Sequence, residues 1–211
     1  MKEYPHIEYD GIYGEKIYAF NKLDGSNIRV EWDRKSIKKG HPTGFVKFGT
    51  RTQIIDGTDN NFGESVDMFL NKYCEDINKI FSKEKYFRNI DKVTMFSEYF
   101  GENSFAGFHE DEPKDIVLFD ICPYKKGMLH PKLFVDMFGY LDIPEIIHIG
   151  NYNKEFVERI RSSDLKEGVV CKGVRKTKGN DIVWMAKIKT IKWLDRLKNK
   201  YGEERLKEEF K

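Results

Sequence analysis

Seven stretches of this chain alternate apolar and polar residues, or run apolar, with many β-branched and aromatic side chains. They are KIYAFNKL at 16–23, NIRVEW at 27–32, GFVKFGTR at 44–51, KVTMFSEYF at 92–100, DIVLFDIC at 115–122, EGVVCKGV at 167–174 and DIVWMAKIK at 181–189. A period of two belongs to a strand, and such side chains fit a pleated, half-buried surface. In NIRVEW the alternation puts Ile28, Val30 and Trp32 on one face and Asn27, Arg29 and Glu31 on the other. Between the strands the spacing changes to three and four. Over about 64–86, Val66, Phe69, Leu70, Tyr73, Ile77, Ile80 and Phe81 form one stripe, which predicts a helix with its apolar side in a core. Shorter helices are predicted at 131–141 and 153–163, and a final one over 190–210 with Trp193, Leu194 and Leu197 on one side. Strands and helices in irregular order, joined by short turns, predict an α+β fold of mainly antiparallel sheets flanked by helices.

At 211 residues the chain can bury a sizeable core, and no repeat, low-complexity tract or long linker divides it, so 1–211 is expected to be a single domain. Charged residues make up 34% against 39% hydrophobic, which describes a well-packed protein with a heavily solvated surface. No run approaches the roughly 18 apolar residues of a membrane span, and MKEYPHIEYD lacks a signal peptide's apolar region. No membrane association is expected, and a cytoplasmic location is, in a host's cytoplasm if the source is viral. Cys74, Cys122 and Cys171 lie far apart with no Cys-x-x-Cys pair, so they read as reduced, mostly buried thiols. The five histidines lack metal-site spacing, so any metal is expected to be held by oxygen.

The net charge of +2 hides local asymmetry. RKSIKKGHPTGFVKFGTR (34–51) and KGVRKTKGNDIVWMAKIKTIK (172–192) are basic, whereas GENSFAGFHEDEPKD (101–115) is acidic. Basic stretches suit a polyphosphate or nucleic-acid partner, although lysine-rich loops also serve solubility alone.

Chemistry-bearing residues gather at the predicted strand ends. KLDGSNIRV (22–30) sets Lys22 beside Asp24, Gly25 and Asn27; FGTRT carries Arg51; SEYFG carries Glu98; LFDI carries Phe119 and Asp120; KEGVV carries Glu167; AKIK carries Lys187 and Lys189. Two lysines two apart on a strand point to the same side. Taken singly, each has a plain structural reading: a salt-bridge partner, a core aromatic, a solvated face, or, for Asp120, a hydrogen-bonding acid.

In this order the segments resemble the covalent nucleotidyltransferases, the ATP-dependent DNA and RNA ligases and the mRNA capping enzymes. KLDG resembles motif I, SEYFG motif III, LFDI motif IIIa, KEGVV motif IV and AKIK motif V. Asn27, five residues after the lysine, and FGTRT are similar to the RNA ligase side of the superfamily, the branch of phage double-strand-sealing and RNA-editing ligases. The resemblance implies a nucleotidyltransferase domain, an ATP-grasp-like ligase adenylation fold; as a departure from the family, the sequence runs only shortly past AKIK, so no oligonucleotide-binding-fold or helical C-terminal domain is expected in it. It implies that Lys22 takes AMP from ATP as a lysyl-AMP phosphoramidate, passes it to a 5′-phosphate end of RNA, and that a 3′-hydroxyl then seals the ends. Nucleotide contacts are implied for Asn21, Asp24, Gly25, Asn27, Arg51, Glu98, Phe119, Val170, Lys187 and Lys189, with Phe119 and Val170 on opposite faces of adenine. Magnesium or manganese is implied at Asp24, Glu98 and Glu167. A free lysine titrates near 10.4, so about one amine in 10³ is unprotonated at neutral pH; cationic neighbours and partial burial would have to tune Lys22. The alternatives are an ATP-dependent DNA ligase, a capping-type guanylyltransferase and a nucleic-acid-binding module that keeps the fold. Protein partners are not indicated.

Overall fold

The stripe that predicts a long helix forms one, and the strands pair in two separate antiparallel sheets. The computed structural model describes residues 1–102, 111–179 and 181–210, so positions 103–110 of the acidic stretch and position 180 of the second basic stretch lie outside the described residues. In chain order come β1 (Lys16–Lys22), β2 (Ser26–Asp33), α1 (Arg34–Lys38), β3 (Phe45–Gly49), β4 (Ile54–Ile55) and α2 (Gly63–Lys83). A 3-10 turn (Lys85–Phe87) leads to β5 (Lys92–Phe100), β6 (Asp115–Pro123), α3 (Pro131–Phe138), β7 (Ile146–Asn151), α4 (Lys154–Arg161), β8 (Gly168–Arg175), β9 (Ile182–Lys189) and α5 (Ile191–Glu209). The elements fall into two compact units, the first Met1–Pro5 with Asp24–Ile143, the second His6–Leu23 with Pro144–Lys211.

The first unit carries a five-stranded sheet in the order β4-β3-β2-β5-β6. Val66, Phe69, Tyr73, Ile77, Ile80 and Phe81 of α2 are buried, and Phe69 meets Phe45 and Phe48 edge-on. Leu70 is only half-buried, at the margin of the stripe. Ile28, Val30 and Trp32 are buried as the alternation predicts, but Arg29 and Glu31 on the opposite face are buried too. Arg29 is satisfied by main-chain oxygens: its Nε donates to Thr50 O at 2.7 Å and its Nη2 to Arg51 O at 3.2 Å. Glu31 faces the Lys92 ammonium at 3.5 Å.

The second unit carries a four-stranded sheet in the order β7-β1-β8-β9. One face packs on α4, with Ile17, Ala19, Val169, Cys171 and Ile188 against Phe156, Val157 and Ile160. Asn153 caps α4 by accepting from Phe156 N at 2.7 Å, and Thr190 caps α5 by accepting from Trp193 N at 3.1 Å. These are the N-cap side chains expected to satisfy orphan helix amides. The predicted terminal helix is interrupted: Gly202 sits at φ 85°, ψ 175°, a conformation essentially reserved for glycine. β7 was not predicted, although IIHIG has the β-branched content of a strand. All three cysteines are free, Cys122 and Cys171 buried. Among the described residues no helix is long and apolar enough to cross a membrane.

Candidate active site

Lys22 closes β1, where its Cα partner across the sheet is Gly168, the first residue of β8; the Cα partner of Gly168 on its other side is Lys189 in β9. Paired residues of antiparallel strands share a face. Lys22, Gly168, Val170, Lys187 and Lys189 therefore project from the side of the sheet opposite α4. Glu167 stands just ahead of the row, its carbonyl accepting from Thr190 N at 2.9 Å. Its side chain reaches back so that Oε1 accepts from Lys22 Nζ at 2.8 Å and also from Lys189 Nζ.

Glycine at 168 is required for this arrangement. Its φ is +145°, and a Cβ there would lie 1.9 Å from the carbonyl oxygen of Ile188. The neighbouring strand is close enough to set Glu167 between the two lysines because position 168 has no side chain.

Burial divides the cluster. Lys22 keeps 22% of its side chain exposed, whereas Glu167 and Lys189 keep 2% and 4%. Lys189 Nζ also lies 3.6 Å from the centre of the Trp193 ring. Burial, and then the positive charge of Lys22, hold the Lys189 ammonium below the ordinary lysine range, with Glu167 and Glu209 opposing. Two ammonium groups thus compete for one carboxylate oxygen, and the mutual repulsion favours loss of a proton.

The other oxygen of that carboxylate, Glu167 Oε2, is buried with no hydrogen-bond partner among the described residues. A hard, anionic oxygen left over in this way fits Mg²⁺ or Mn²⁺, which take one or two carboxylates and keep several waters. No group of three or more His, Cys, Asp or Glu forms a ready-made metal cage among the described residues.

Val170 is half-buried and is the Cα partner of both Phe20 and Lys187. Lys187 lies over the Tyr9 ring at 4.3 Å and pairs with Glu209 Oε1 at 3.3 Å. Lys189 reaches the same Glu209 oxygen at 3.5 Å, so the two motif V lysines do converge. The register puts Asn21 on the other face, opposite Val169, with its Oδ1 buried and unpartnered among the described residues.

The first unit holds the remaining named residues. Asp24 and Gly25 form the turn into β2. The Gly25 amide donates to Glu98 Oε1 at 3.0 Å, and a Cβ on Gly25 would come within 2.4 Å of Tyr99 O. Asn27 and Glu98 are Cα partners across β2 and β5. The β5–β6 register slips so that Phe96 faces Asp120 while Ser97 faces Leu118, leaving Phe119 as the extra residue of a bulge. Bulges re-aim side chains, and this one turns a half-buried phenyl ring out of the ladder. Tyr4 braces that ring edge-on at 5.1 Å and donates its hydroxyl to Asp120 Oδ2 at 2.5 Å, so Asp120 serves as a hydrogen-bonding acid. Arg51 is exposed in the turn after β3 that Arg29 holds.

Tyr4, Tyr9 and Glu209 were not singled out from the sequence. Tyr4 and Tyr9 precede the first strand, and Glu209 sits among many charges in a helix that reads as solvated.

The RNA ligase family model matches residues 15–193, which include every strand-end residue named above. Among solved structures, an apo lysine-to-alanine variant of Naegleria gruberi RNA ligase superposes with a TM-score of 0.62 at 18% identity, covering 89% of this chain and 53% of that one. A lysine-to-methionine variant of the Naegleria gruberi ligase with AMP and Mn gives a TM-score of 0.62 at 17% identity, with the same coverages of 89% and 53%. Another variant of that ligase, with ATP and Mn, gives 0.58 at 18%, covering 87% and 52%. These likenesses establish the fold, and the chain spans about half the length of these ligases. No curated protein matches. With the family model matched over 15–193, the chain belongs to the RNA ligase family.

Proposed function

We propose that residues 1–211 act as one adenylyltransferase domain of an ATP-dependent RNA ligase, with Lys22 as the nucleophile. The observation that carries this reading is the convergence of Lys22 and Lys189 on a single buried carboxylate oxygen of Glu167. The unprotonated Lys22 amine attacks the α-phosphorus of ATP. A bond forms between Nζ and phosphorus, the bond to the bridging oxygen breaks, pyrophosphate leaves, and the amine's remaining extra proton passes to solvent. Lys187 and Lys189 offer positive charge to the phosphates as negative charge builds up. Glu167, through its spare buried oxygen, would hold Mg²⁺ or Mn²⁺, which when bound polarises phosphoryl oxygens, and Asp24 and Glu98 are the other acids assigned to metal binding. Phe119, re-aimed by its bulge, and Val170 are the residues assigned to adenine. Asn27 and Arg51 supply amide and guanidinium donors to phosphate and to the RNA strand. AMP then passes to a 5′-phosphate and a 3′-hydroxyl displaces it. The related ligases solved with AMP or ATP and Mn support the choice of nucleotide and metal.

Incubation of the purified chain with ATP and Mg²⁺, followed by intact mass measurement, tests the reading. An AMP adduct on wild type that is absent from a folded Lys22→Ala variant is expected. Adduct formation by the variant would show that another residue is the nucleophile. A label trapped from GTP alone would point to a capping-type enzyme, and sealing of DNA but not RNA nicks to a DNA ligase.

A further inference from the structure

The two motif V lysines already hold an anion, and it belongs to the chain itself. After Trp193 and Leu197 dock α5 on the second unit, the helix breaks at Gly202 and residues 203–209 return to the sheet. That return brings Glu209 Oε1 to Lys187 Nζ at 3.3 Å, to Lys189 Nζ at 3.5 Å and to the Tyr9 hydroxyl, which donates at 2.7 Å. The carboxylate is well seated: its side chain is 14% exposed, and the neighbouring Phe210 ring lies 4.8 Å from Tyr9. Three donors on one oxygen make the coordination that a phosphate oxygen would receive. By contrast, the pairs of Lys198 with Glu203 at 2.5 Å and of Arg205 with Glu208 at 3.2 Å are exposed and made within the helix.

We infer that Glu209 is an internal stand-in for a phosphate, and that the segment after Gly202 is an autoinhibitory strap that must leave Lys187 and Lys189 before a triphosphate can bind them. This rests on the reading of the two lysines as phosphate ligands. It adds a regulated step: anything that draws 203–210 away raises the apparent affinity for ATP without altering the lysines. Gly202 makes the return possible. Its φ of +85° is one that an L side chain rarely adopts, and no atom lies within 4 Å of where a Cβ would be, so alanine there would act on backbone conformation and on nothing else.

The test measures binding of inorganic tripolyphosphate by calorimetry to the full chain and, in parallel, the ATP concentration that gives half-maximal single-turnover adduct formation. Glu209→Gln and Gly202→Ala are each expected to tighten tripolyphosphate binding and lower the ATP requirement by about tenfold, which corresponds to a seat filled about nine-tenths of the time. Glu208→Gln removes the same charge from the adjacent position and is expected to change neither. Equal binding by wild type, Glu209→Gln and Gly202→Ala would overturn the strap. So would an equal gain from Glu208→Gln, because a general loss of negative charge would then explain it. Tighter tripolyphosphate binding without any AMP adduct would uphold the strap and count against the ligase reading alone.

Discussion

Lys22 and Lys189 meet on one oxygen of Glu167, the first lysine a fifth exposed and the second almost wholly enclosed. That asymmetry suits different tasks: the partly open lysine can reach a substrate, while the enclosed one is a fixed positive charge. It also means that Glu167 compensates a buried cation, whatever else it does.

Replacing Glu167 by alanine is therefore expected to cost stability as well as activity. Removing one partner of a buried pair typically costs about 3–5 kcal/mol, and because the Lys189 ammonium is already held below the ordinary lysine range its uncompensated charge is shed more easily, so the lower end of that range is expected. Urea unfolding of Glu167→Ala beside Lys22→Ala checks this. The lysine variant should lose adduct formation with far less change in midpoint, and equal midpoints for the two would show that Glu167 compensates nothing.

Gly168→Ala should be more damaging than its single added methyl suggests. The new Cβ would have to push Ile188 O away from 1.9 Å, in a backbone conformation that alanine resists. We expect a loss of at least about 3 kcal/mol and no detectable AMP adduct. A variant that unfolds at the wild-type urea concentration would show that the strands can separate at no cost.

Acid should loosen the strap. Burial raises the Glu209 carboxyl, but Lys189, the Tyr9 hydroxyl and Lys187 outweigh it and hold the group below its ordinary value of 4.5. A carboxyl lowered by folding adds stability above its unfolded value and loses it as pH falls through the folded one. Wild type should thus be more stable than Glu209→Gln at pH 7, and the gap should close as the pH falls below the ordinary carboxyl value and through the lowered folded one. Urea midpoints of both proteins across that range measure it, and a gap that persists in acid would contradict the pairing.

Tyr4 gives a separable pair of variants. Tyr4→Phe keeps the ring that braces Phe119 but removes the donor to buried Asp120, which should cost about 1–3 kcal/mol with little change in the KM for ATP. Tyr4→Ala removes both, and is expected to raise that KM several-fold while kcat changes little. Identical KM values for the two variants would mean the edge contact does not orient Phe119.

What the sequence made legible follows from where the information is stored. The α2 stripe and most of the strands are local patterns, set by side chains that alternate at fixed spacing, and they formed nearly as spaced. The cluster of Lys22, Glu167 and Lys189 was legible because its members sit at strand ends, which antiparallel pairing places side by side. The polar face of β2 was not, since burial of Arg29 depends on carbonyls that come from a turn about twenty residues away. The seat of Glu209 beside Lys187 and Lys189 was hidden for a similar reason: only the backbone reversal at Gly202 distinguishes it from the exposed acids around it. Phe119 was named without the bulge that aims it, because a register slip belongs to two strands at once.

Arg29 grips the turn after β3 through main-chain oxygens, so the shape of that turn does not depend on which side chain stands at 51. A series of replacements there, from lysine to glutamine to alanine, should leave the scaffold undisturbed. Any loss that such a series shows in an RNA-sealing assay can then be assigned to the missing guanidinium rather than to a collapsed loop.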